Sequence, residues 1–284
     1  MNPSRPHHFY KMHGAGNDFI LIDNRAGAFM LSEHQLFRRF CQHHSGVGAD
    51  GRLLISPGEA AHFRLDYYNA DGFPADMCGN GARCAVFLAH QLKIAPAQCS
   101  FEINGRVYRA RVLPGNRVRL QMQEAKVLME NDWLAFLAKP EFLSLVWVDT
   151  GVPHLVITLK DTPDNLNIIE YGRHLRHHWL FRPHGTNVNF IHPLEKKHLQ
   201  VRVYERGVEN ETMACGTGAV ACGIVAARQL GWSSPVTAHF RGGDLQVEFD
   251  KEFRKVHLNG EVFRVFDGEF DPLYFDFGAR EMLL

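Results

Sequence analysis

Two short motifs carry the residue types that could move a proton at a carbon atom. Residues 78–82 read Cys-Gly-Asn-Gly-Ala and residues 215–219 read Cys-Gly-Thr-Gly-Ala, and each motif opens a strongly apolar run of helix length. A thiol at the start of a helix lies against the positive end of the helix dipole and near unpaired backbone amides, which favour the thiolate. The glycines have no side chain to block an anion, so the same amides can hold a carboxylate.

Two such motifs in one chain suggest a particular reaction. Inverting a stereocentre next to a carboxylate requires one group to remove a proton from one face and another group to deliver a proton to the opposite face. Two thiols, one ionised and one protonated, can do this. Two helix N-termini aimed at the carboxylate would stabilise the negative charge that develops there in the transition state.

The spacing of the motifs indicates an internal repeat. The two cysteines lie 137 residues apart (215 minus 78). Three further segment pairs keep offsets of 135, 137 and 136 residues: 16–19 with 151–154, 48–50 with 185–187, and 68–69 with 204–205. A nearly constant offset over most of the chain predicts two copies of one structural unit. Two copies that face each other would bring both cysteines to one cleft.

Each copy is predicted to consist of strands around one buried helix. Short stretches in which apolar and polar residues alternate predict strands in both halves, for example at 63–67 and 199–203. The runs 82–89 and 219–227 after the cysteine motifs leave little or no polar face, which is typical of helices at the centre of a domain. We therefore expect an α+β fold of two β-rich lobes, with residues 1–123 and the C-terminal segment 271–284 in the first lobe and residues 124–270 in the second.

Composition excludes several classes of partner. The 284 residues include 31 Lys plus Arg and 31 Asp plus Glu, so no net formal charge attracts nucleic acid or a membrane surface. No uninterrupted apolar stretch approaches the roughly 20 residues that cross a bilayer, and the N-terminus lacks the apolar core of a signal peptide. We expect a cytoplasmic protein that has neither nucleic acid nor a membrane as a partner.

The six cysteines indicate neither a disulfide scaffold nor a metal site. They are too sparse for a chain of this length to be stapled by disulfides. The gaps from Cys78 to Cys84 and from Cys215 to Cys222 are longer than the usual gap between zinc ligands, so no metal is predicted. Simple packing in the core is the expectation for Cys41, Cys84, Cys99 and Cys222.

Two features of the sequence could indicate a cofactor site, but neither has the surroundings that such a site requires. Residues 14–16 read Gly-Ala-Gly, but the strand-like stretch 19–22 follows where a dinucleotide-binding motif needs a helix. Lys11 could carry pyridoxal phosphate, yet nothing nearby forms a phosphate cup, and two thiols remove the need for an electron sink. We therefore expect no cofactor.

The segments 11–19, 77–84, 204–207 and 211–218 resemble the diaminopimelate epimerase family, and the similarity spans almost the whole chain. The resemblance implies a cofactor-independent interconversion of LL- and meso-diaminopimelate, a small amino acid used in lysine and peptidoglycan synthesis. It also implies two pseudo-symmetric β-rich lobes, each around a central helix, with a closing cleft between them, in a homodimer.

The same resemblance implies roles for individual residues. Cys78 and Cys215 would be the acid/base pair. The reacting carboxylate would be held by Gly79, Asn80, Gly216 and Thr217. The amino and carboxylate groups of the substrate would be bound by Asn17, Asn69, Asn187, Glu205 and Arg206, with His154 beside the reacting centre. Both ends of diaminopimelate are amino acids, and a cation–anion pair such as Arg206 and Glu205 suits the end that does not react.

Two departures from the family pattern concern the choice of substrate. Residues 151–154 read Gly-Val-Pro-His where the family usually has Gly-Asn-Pro-His, and Val152 cannot form the hydrogen bond of an amide. Loss of one such bond is worth on the order of 1 kcal/mol. The loop 207–212 is one residue longer than the commoner form. Two alternatives therefore stay open, a racemase of another amino acid on the same scaffold and a catalytically silent amino-acid-binding protein.

Overall fold

The computed structural model describes residues 7–30, 33–75 and 77–270, apart from the side chains of residues 132 and 133. The described chain divides into two compact units. Among the described residues, the first unit holds those from His7 to Val118 and from Val262 to Phe270, and the second unit is Arg119–Glu261.

Strands and helices alternate along the chain. The strands are β1 (His7–Gly14), β2 (Asn17–Asp23), β3 (Gly51–Ser56), β4 (Phe63–Asn69), β5 (Gln98–Ile103), β6 (Arg106–Leu113), β7 (Arg117–Gln121), β8 (Lys126–Glu130), β9 (Phe142–Asp149), β10 (Pro153–Leu159), β11 (Asn187–Pro193), β12 (His198–Glu205), β13 (Asn210–Thr212), β14 (Val236–Phe240), β15 (Gly243–Phe249), β16 (Val256–Glu261) and β17 (Phe263–Phe270). The α-helices are α1 (His34–Cys41), α2 (Gly79–Gln91), α3 (Ile168–Arg176) and α4 (Gly216–Leu230). Short 3₁₀ turns lie at Asn131–Leu137, Pro163–Asn165, Trp179–Phe181 and Glu195–Lys197.

The two units repeat one order of elements and one set of strand pairings. In the first unit β1–β2, β3–β4 and β5–β6 are antiparallel, and β2–β3 and β4–β5 are parallel. In the second unit β9–β10, β11–β12 and β14–β15 are antiparallel, and β10–β11 and β12–β14 are parallel. A helix follows the second and the fourth strand of each series. The internal repeat predicted from the sequence is therefore a repeat of topology.

Each unit surrounds one buried helix, as predicted. Helix α2 packs on β1, β2, β3, β4 and β6, and its residues 79–89 are all buried. Helix α4 packs on β9, β10, β11, β14, β15 and β16, and almost all of its residues 216–226 are buried. Because neither helix presents a wet face over these residues, both sequences are mainly apolar, and the buried polar residues Asn80 and Arg83 of α2 are exceptions. The predicted fold class, α+β with two β-rich lobes around central helices, is confirmed.

Each unit has a core of aromatic and aliphatic side chains. In the first unit the core beside α1 includes Phe37, Phe40 and Leu54. In the second unit α3 packs over a core that includes Phe190 and Tyr204. The predicted strands at 63–67 and 199–203 lie in β4 and β12.

The cysteines outside the two motifs are core residues, as the sequence predicts. Cys41, Cys84, Cys99 and Cys222 are all buried. Burial raises the pKa of Cys84 to about 12 and that of Cys99 to about 11. These sulfur atoms therefore stay protonated near neutral pH and act as small apolar groups.

The division between the units differs from the predicted lobe bounds, 1–123 and 124–270. It falls after Val118, and the first unit regains the chain at Val262 because β17 pairs antiparallel with β1, from His7 opposite Phe270 onward. The alternating sequence of β17 is that of a strand in either unit, so its partner could not be read from the pattern. The predicted joining of residues 271–284 to the first lobe lies outside the described residues.

None of the helices in the described part of the chain has the length and the apolar character that crossing a bilayer requires.

Candidate functional site

Both motif cysteines occupy the residue directly before a central helix. Cys78 has an extended backbone (φ −99°, ψ 120°), and its carbonyl oxygen accepts the first helical hydrogen bond, from the Ala82 amide, at 2.9 Å. Cys215 repeats this geometry (φ −124°, ψ 117°), with the Ala219 amide at 2.8 Å. Each thiol therefore lies at the positive end of a helix dipole, as predicted. Cys78 belongs to the first unit and is half-buried, whereas Cys215 belongs to the second and is only 7% exposed.

In the first unit the structure brings three of the predicted site residues together. The Cys78 thiol points at Asn17 Oδ1 at 3.6 Å, and Asn80 Nδ2 donates to the same oxygen at 3.4 Å. Asn17 opens β2 directly after the tight β1–β2 turn, whose Gly16 has a φ of 78°. A side chain with a β-carbon is disfavoured in that left-handed conformation, so the glycine allows the turn that presents Asn17 to the start of α2.

A charged network that the sequence reasoning missed supports Asn17. Asn17 Nδ2 donates to Asp50 Oδ2 at 2.5 Å, and the backbone amides of Asp18 and Asp50 each donate to the other residue's carboxylate at 3.1 Å. Lys11 Nζ is paired with Asp18 Oδ2 at 2.5 Å and also donates to the Gly48 carbonyl oxygen. Lys11, although charged, is buried.

The two carboxylates of this network have pKa values displaced in opposite directions. Burial and the charge of Asp18 raise the pKa of Asp50, although the bond from Asn17 lowers it in part. Burial alone would raise the pKa of Asp18, but its contacts with Lys11 and with Asp50 leave that pKa below its usual value. Of the two carboxylates, Asp18 beside the lysine therefore keeps its negative charge to the lower pH.

Arg83 places a buried cation inside the first turns of α2. Its Nη2 donates to Asn80 Oδ1 at 2.9 Å and its Nη1 donates to the Gly79 carbonyl oxygen at 3.2 Å. Burial lowers the pKa of the guanidinium, and the nearby sulfur atoms of Cys84 and Cys78 oppose that effect. The sequence offered a signal, because Arg83 is a charged residue in a run that is otherwise apolar.

Asn69 lies at the end of β4, opposite Gly51 and therefore next to Asp50 in the sheet. Its backbone closes a turn, since Gly72 donates to its carbonyl oxygen at 2.9 Å and its own amide donates to Phe73 at 3.0 Å. The Asn69 side chain is exposed at the edge of this turn.

In the second unit hydroxyl groups surround the motif cysteine. Cys215 Sγ lies 3.4 Å from the hydroxyl of Thr217, the second residue of α4. The Thr150 hydroxyl donates to the Thr217 carbonyl oxygen at 3.4 Å and so ties the β9–β10 turn to the helix. Gly151 in that turn has a φ of 97°, which matches the left-handed Gly16 of the first unit.

Asn187, at the start of β11, connects the start of β10 with the end of β12. Predicted site residues lie at all three of these places. Its Nδ2 donates to the Pro153 carbonyl oxygen at 3.1 Å, and its Oδ1 accepts the Arg206 backbone amide at 2.8 Å. The Glu205 carboxylate accepts a hydrogen bond from the Thr212 hydroxyl. Glu205 and Arg206 are therefore fixed through their neighbours at the start of the β12–β13 loop.

The longer loop at 207–212 is anchored to α3. The Glu209 carboxylate accepts from the Gly207 amide at 3.0 Å and from Arg176 Nε at 3.1 Å, and His177 lies 3.2 Å away. Burial alone would raise the pKa of Glu209, but the Gly207 amide, Arg176 and His177 hold it below its usual value. Glu209 thus attaches the loop that follows Arg206 to the end of α3.

His154 is completely buried in β10. Its Nδ1 lies 3.0 Å from Asn189 Nδ2, on the neighbouring strand β11. Burial, with a smaller contribution from the charge of Arg206, lowers the pKa of His154 to about 3. The imidazole is therefore neutral at physiological pH.

Solved structures first identify the fold. A phenazine biosynthesis protein of the PhzF family from Bacillus anthracis superposes with a TM-score of 0.71 over 94% of this chain and 99% of that chain, at 15% sequence identity. At that identity the likeness establishes the fold alone, a PhzF-like α+β fold.

Sequence comparisons then identify the family. The family model described as "Diaminopimelate epimerase" matches residues 9–128 and 146–265, two segments whose starts lie 137 residues apart (146 minus 9). The diaminopimelate epimerase of Aquifex aeolicus is 39% identical over 92% of this chain and 96% of its own length, and that of Chlorobaculum tepidum is 41% identical over 90% and 98%. The chain belongs to the diaminopimelate epimerase family, a family of isomerases. The resemblance seen in the cysteine motifs is confirmed.

Proposed function

We propose that this protein interconverts LL- and meso-diaminopimelate by two-base proton transfer without a cofactor. One observation carries the proposal: each unit places a cysteine at the same position, directly before a buried helix and with the same backbone conformation. The names of relatives that are 39% and 41% identical support the choice of substrate. The product serves lysine and peptidoglycan synthesis.

The proposed reaction uses the two thiols in turn. The thiolate of one cysteine removes the α-proton, so a C–H bond breaks, an S–H bond forms and the electron pair moves toward the carboxylate. Backbone amides at the starts of α2 and α4, contributed by Gly79, Asn80, Gly216 and Thr217, stabilise that charge. The thiol of the other cysteine then gives its proton to the opposite face and becomes the thiolate. In the reverse direction Cys78 and Cys215 exchange roles.

The remaining predicted residues are proposed to orient the substrate. Glu205 and Arg206 pair with the ammonium and carboxylate of the end that does not react. The Thr212 hydroxyl holds the Glu205 carboxylate, and Asn187 holds the backbone amide of Arg206. Both contacts favour this role, because a group that is already held loses less freedom on binding. The amides of Asn17, Asn69 and Asn187 would contribute further hydrogen bonds.

Solvent exchange at the α-carbon tests the proposal. Incubation of LL-diaminopimelate with the protein in deuterium oxide should produce the meso isomer and replace the α-hydrogen by deuterium, as followed by NMR and mass spectrometry. No exchange on this substrate, with exchange on another amino acid, would favour a racemase of different specificity. Binding without exchange on any amino acid would favour a binding protein, although recognition alone gives no reason for two thiols at helix starts.

We also infer a cytoplasmic homodimer. The family resemblance supports the dimer, and six cysteines with four of them in the core support a reducing compartment. Sedimentation equilibrium of the purified protein should give twice the 32.3 kDa mass of one chain. A monomer at micromolar concentration would contradict the dimer.

A further inference from the structure

The contacts of the His154–Asn189 pair fix the protonation pattern of a buried histidine. Asn189 is fully buried on β11. Its Nδ2 lies 3.0 Å from His154 Nδ1 and also donates to the Leu155 carbonyl oxygen at 3.4 Å. A carbonyl oxygen can only accept, so the nitrogen end of the amide must face this side. His154 Nδ1 is then the acceptor, and the proton of the neutral ring is on Nε2.

Two polar atoms of the pair remain available for another group. His154 Nε2 and Asn189 Oδ1 are both buried, and neither has a hydrogen-bond partner within the described part of the chain. Buried polar atoms are nearly always paired, so two orphaned atoms on adjoining residues indicate a place where a ligand completes the bonding. A donor at Nε2 suits an anionic oxygen, and an acceptor at Oδ1 suits an ammonium or an amide hydrogen.

The pair adjoins the motif of the second unit. The point at which a β-carbon on Gly218 would lie is 2.5 Å from Asn189 Oδ1 and 3.3 Å from Cys215 Sγ. Asn189 therefore packs against the first turn of α4, within a small volume that also holds the sulfur atom. No side chain larger than hydrogen fits at Gly218 without displacing one of these two groups.

We propose that Asn189 is a positioning residue, which holds His154 in the form that carries its proton on Nε2 so that this N–H donates to the substrate beside Cys215. In this role His154 is a neutral hydrogen-bond donor that stabilises negative charge on the substrate and does not transfer the proton. The proposal deepens the proposed function and rests on it for the identity of the substrate, but the state of the imidazole can be measured without substrate.

The Asn189→Asp variant tests the assignment with almost no change in shape. A carboxylate can only accept, so it should draw a proton onto His154 Nδ1. NMR of the ¹⁵N-histidine-labelled full chain, with the His154→Gln spectrum to assign the ring, should show Nε2 protonated and Nδ1 bare in the wild type. Asn189→Asp should show Nδ1 protonated and should lower kcat/KM for LL-diaminopimelate by at least about tenfold. The exposed Asn165 supplies a matched Asn→Asp control, which should alter neither measurement.

Gly218→Ala provides a second variant whose fold should survive. Alanine is the better helix former, but its methyl group would lie 2.5 Å from the buried Asn189 Oδ1, so some loss of thermal stability is expected. Circular dichroism checks that the fold is retained, and the displacement of Asn189 should change the His154 spectrum. A wild-type ring that carries its proton on Nδ1, or an Asn189→Asp variant with unchanged imidazole and unchanged kcat/KM, would overturn the inference. If the predicted tautomer is found but the wild type does not exchange diaminopimelate, the proposed function fails and the positioning of His154 by Asn189 stands.

Discussion

The starts of helices α2 and α4 have the same backbone and different surroundings. Both cysteines precede the helix with extended dihedral angles, and the matched glycines Gly48 and Gly185 have φ values of 74° and 67°. Around Cys78 the supporting groups are charged and include Lys11, Asp18, Asp50 and Arg83. Around Cys215 the supporting groups nearest the helix start are neutral and include Thr217, Thr150, Asn189 and His154, and the charge of Arg206 acts on His154 from the β12–β13 loop.

The sequence match explains how this difference arose within one topology. Asp18 corresponds to Pro153, which has no charge and no amide hydrogen, and Asp50 corresponds to Asn187. The backbone has the same shape in both copies because the helix starts and the left-handed glycines do not depend on the flanking side chains. The side chains were free to diverge. Unequal surroundings suit a reaction that needs one thiolate and one thiol at any moment.

The largest expected effect comes from removing either sulfur atom. Cys78→Ala and Cys215→Ala should each lower the rate of epimerisation by about 10²- to 10⁴-fold, because each removes the proton carrier of one face. The fold should be retained, as measured by circular dichroism. The remaining cysteine can still exchange a proton on its own face, so one variant should exchange the α-hydrogen of one stereoisomer and the other variant that of the opposite stereoisomer.

Two outcomes would contradict this assignment of faces. Normal turnover in either variant would refute the two-base scheme. Exchange of the same stereoisomer by both variants would mean that the two cysteines do not serve opposite faces of the α-carbon. The core residue Cys222 offers a matched control, since Cys222→Ala lies in α4 and should leave the exchange pattern unchanged.

A smaller effect should come from the charged network beside Cys78. Asp18→Asn leaves the buried Lys11 ammonium without its carboxylate and should lower the free energy of unfolding by about 1 to 3 kcal/mol at pH 7, a range reduced because the Asp18 side chain is about one-third exposed. The folded-state pKa of Asp18 lies below its ordinary 3.8, so its stabilisation is present above that pH and is lost as the pH falls through the lower folded value.

Urea unfolding followed by circular dichroism at pH 7 and at pH 3 measures this difference. The difference in free energy of unfolding between wild type and Asp18→Asn should have its full value at pH 7 and should become smaller below about pH 4. The exposed Asp161 of the second unit gives a control, in which the Asp→Asn change should cost little at either pH. If Asp18→Asn lowered the free energy of unfolding at pH 7 by no more than the Asp161→Asn control does, the Lys11–Asp18 pair would contribute nothing to stability.

The features of the two helix starts that depend on neighbouring residues in the chain could be predicted from the sequence. The runs 82–89 and 219–227, which are apolar apart from Arg83, identified the central helices because a helix that is buried on every side is composed mainly of apolar residues. The motif glycines identified the helix starts. The pairing of β17 with β1 was not predictable, because an alternating strand fits any sheet edge. Asp18 and Asp50 were missed because a carboxylate network depends on side chains from separate strands.

Asn189 shows the same limit in the second unit. Its residue type fits a strand, a turn or a site equally well, and its significance depends on its distance from His154 and Gly218. Arg83 was visible in the sequence as the charged exception in an apolar run. Its partners, Asn80 and the Gly79 carbonyl oxygen, follow only from the geometry of the first turn of α2.

The smallest expected effect concerns the matched pair Asn17 and Val152. Val152→Asn would restore to the second unit the amide that the first unit has after the corresponding turn. The backbone there is already fixed, because the Thr150 amide donates to the Val152 carbonyl oxygen at 3.1 Å, so the fold should tolerate the change. One added hydrogen bond to the substrate, about 1 kcal/mol, should lower KM for LL-diaminopimelate by roughly fivefold with little change in kcat.

The opposite substitution at the matching position of the first unit, Asn17→Val, shows whether the effect depends on the position of the amide. Asn17→Val removes the donor to Asp50 and the acceptor beside Cys78, so it should lower kcat/KM by more than Val152→Asn raises it. If Val152→Asn instead raised KM for diaminopimelate and lowered it for a smaller amino acid, valine would select a different substrate. An unchanged KM would show that side chain 152 does not contact the substrate. The two turns would then be equivalent in backbone shape only, and Asn17 and Val152 would not have matching roles.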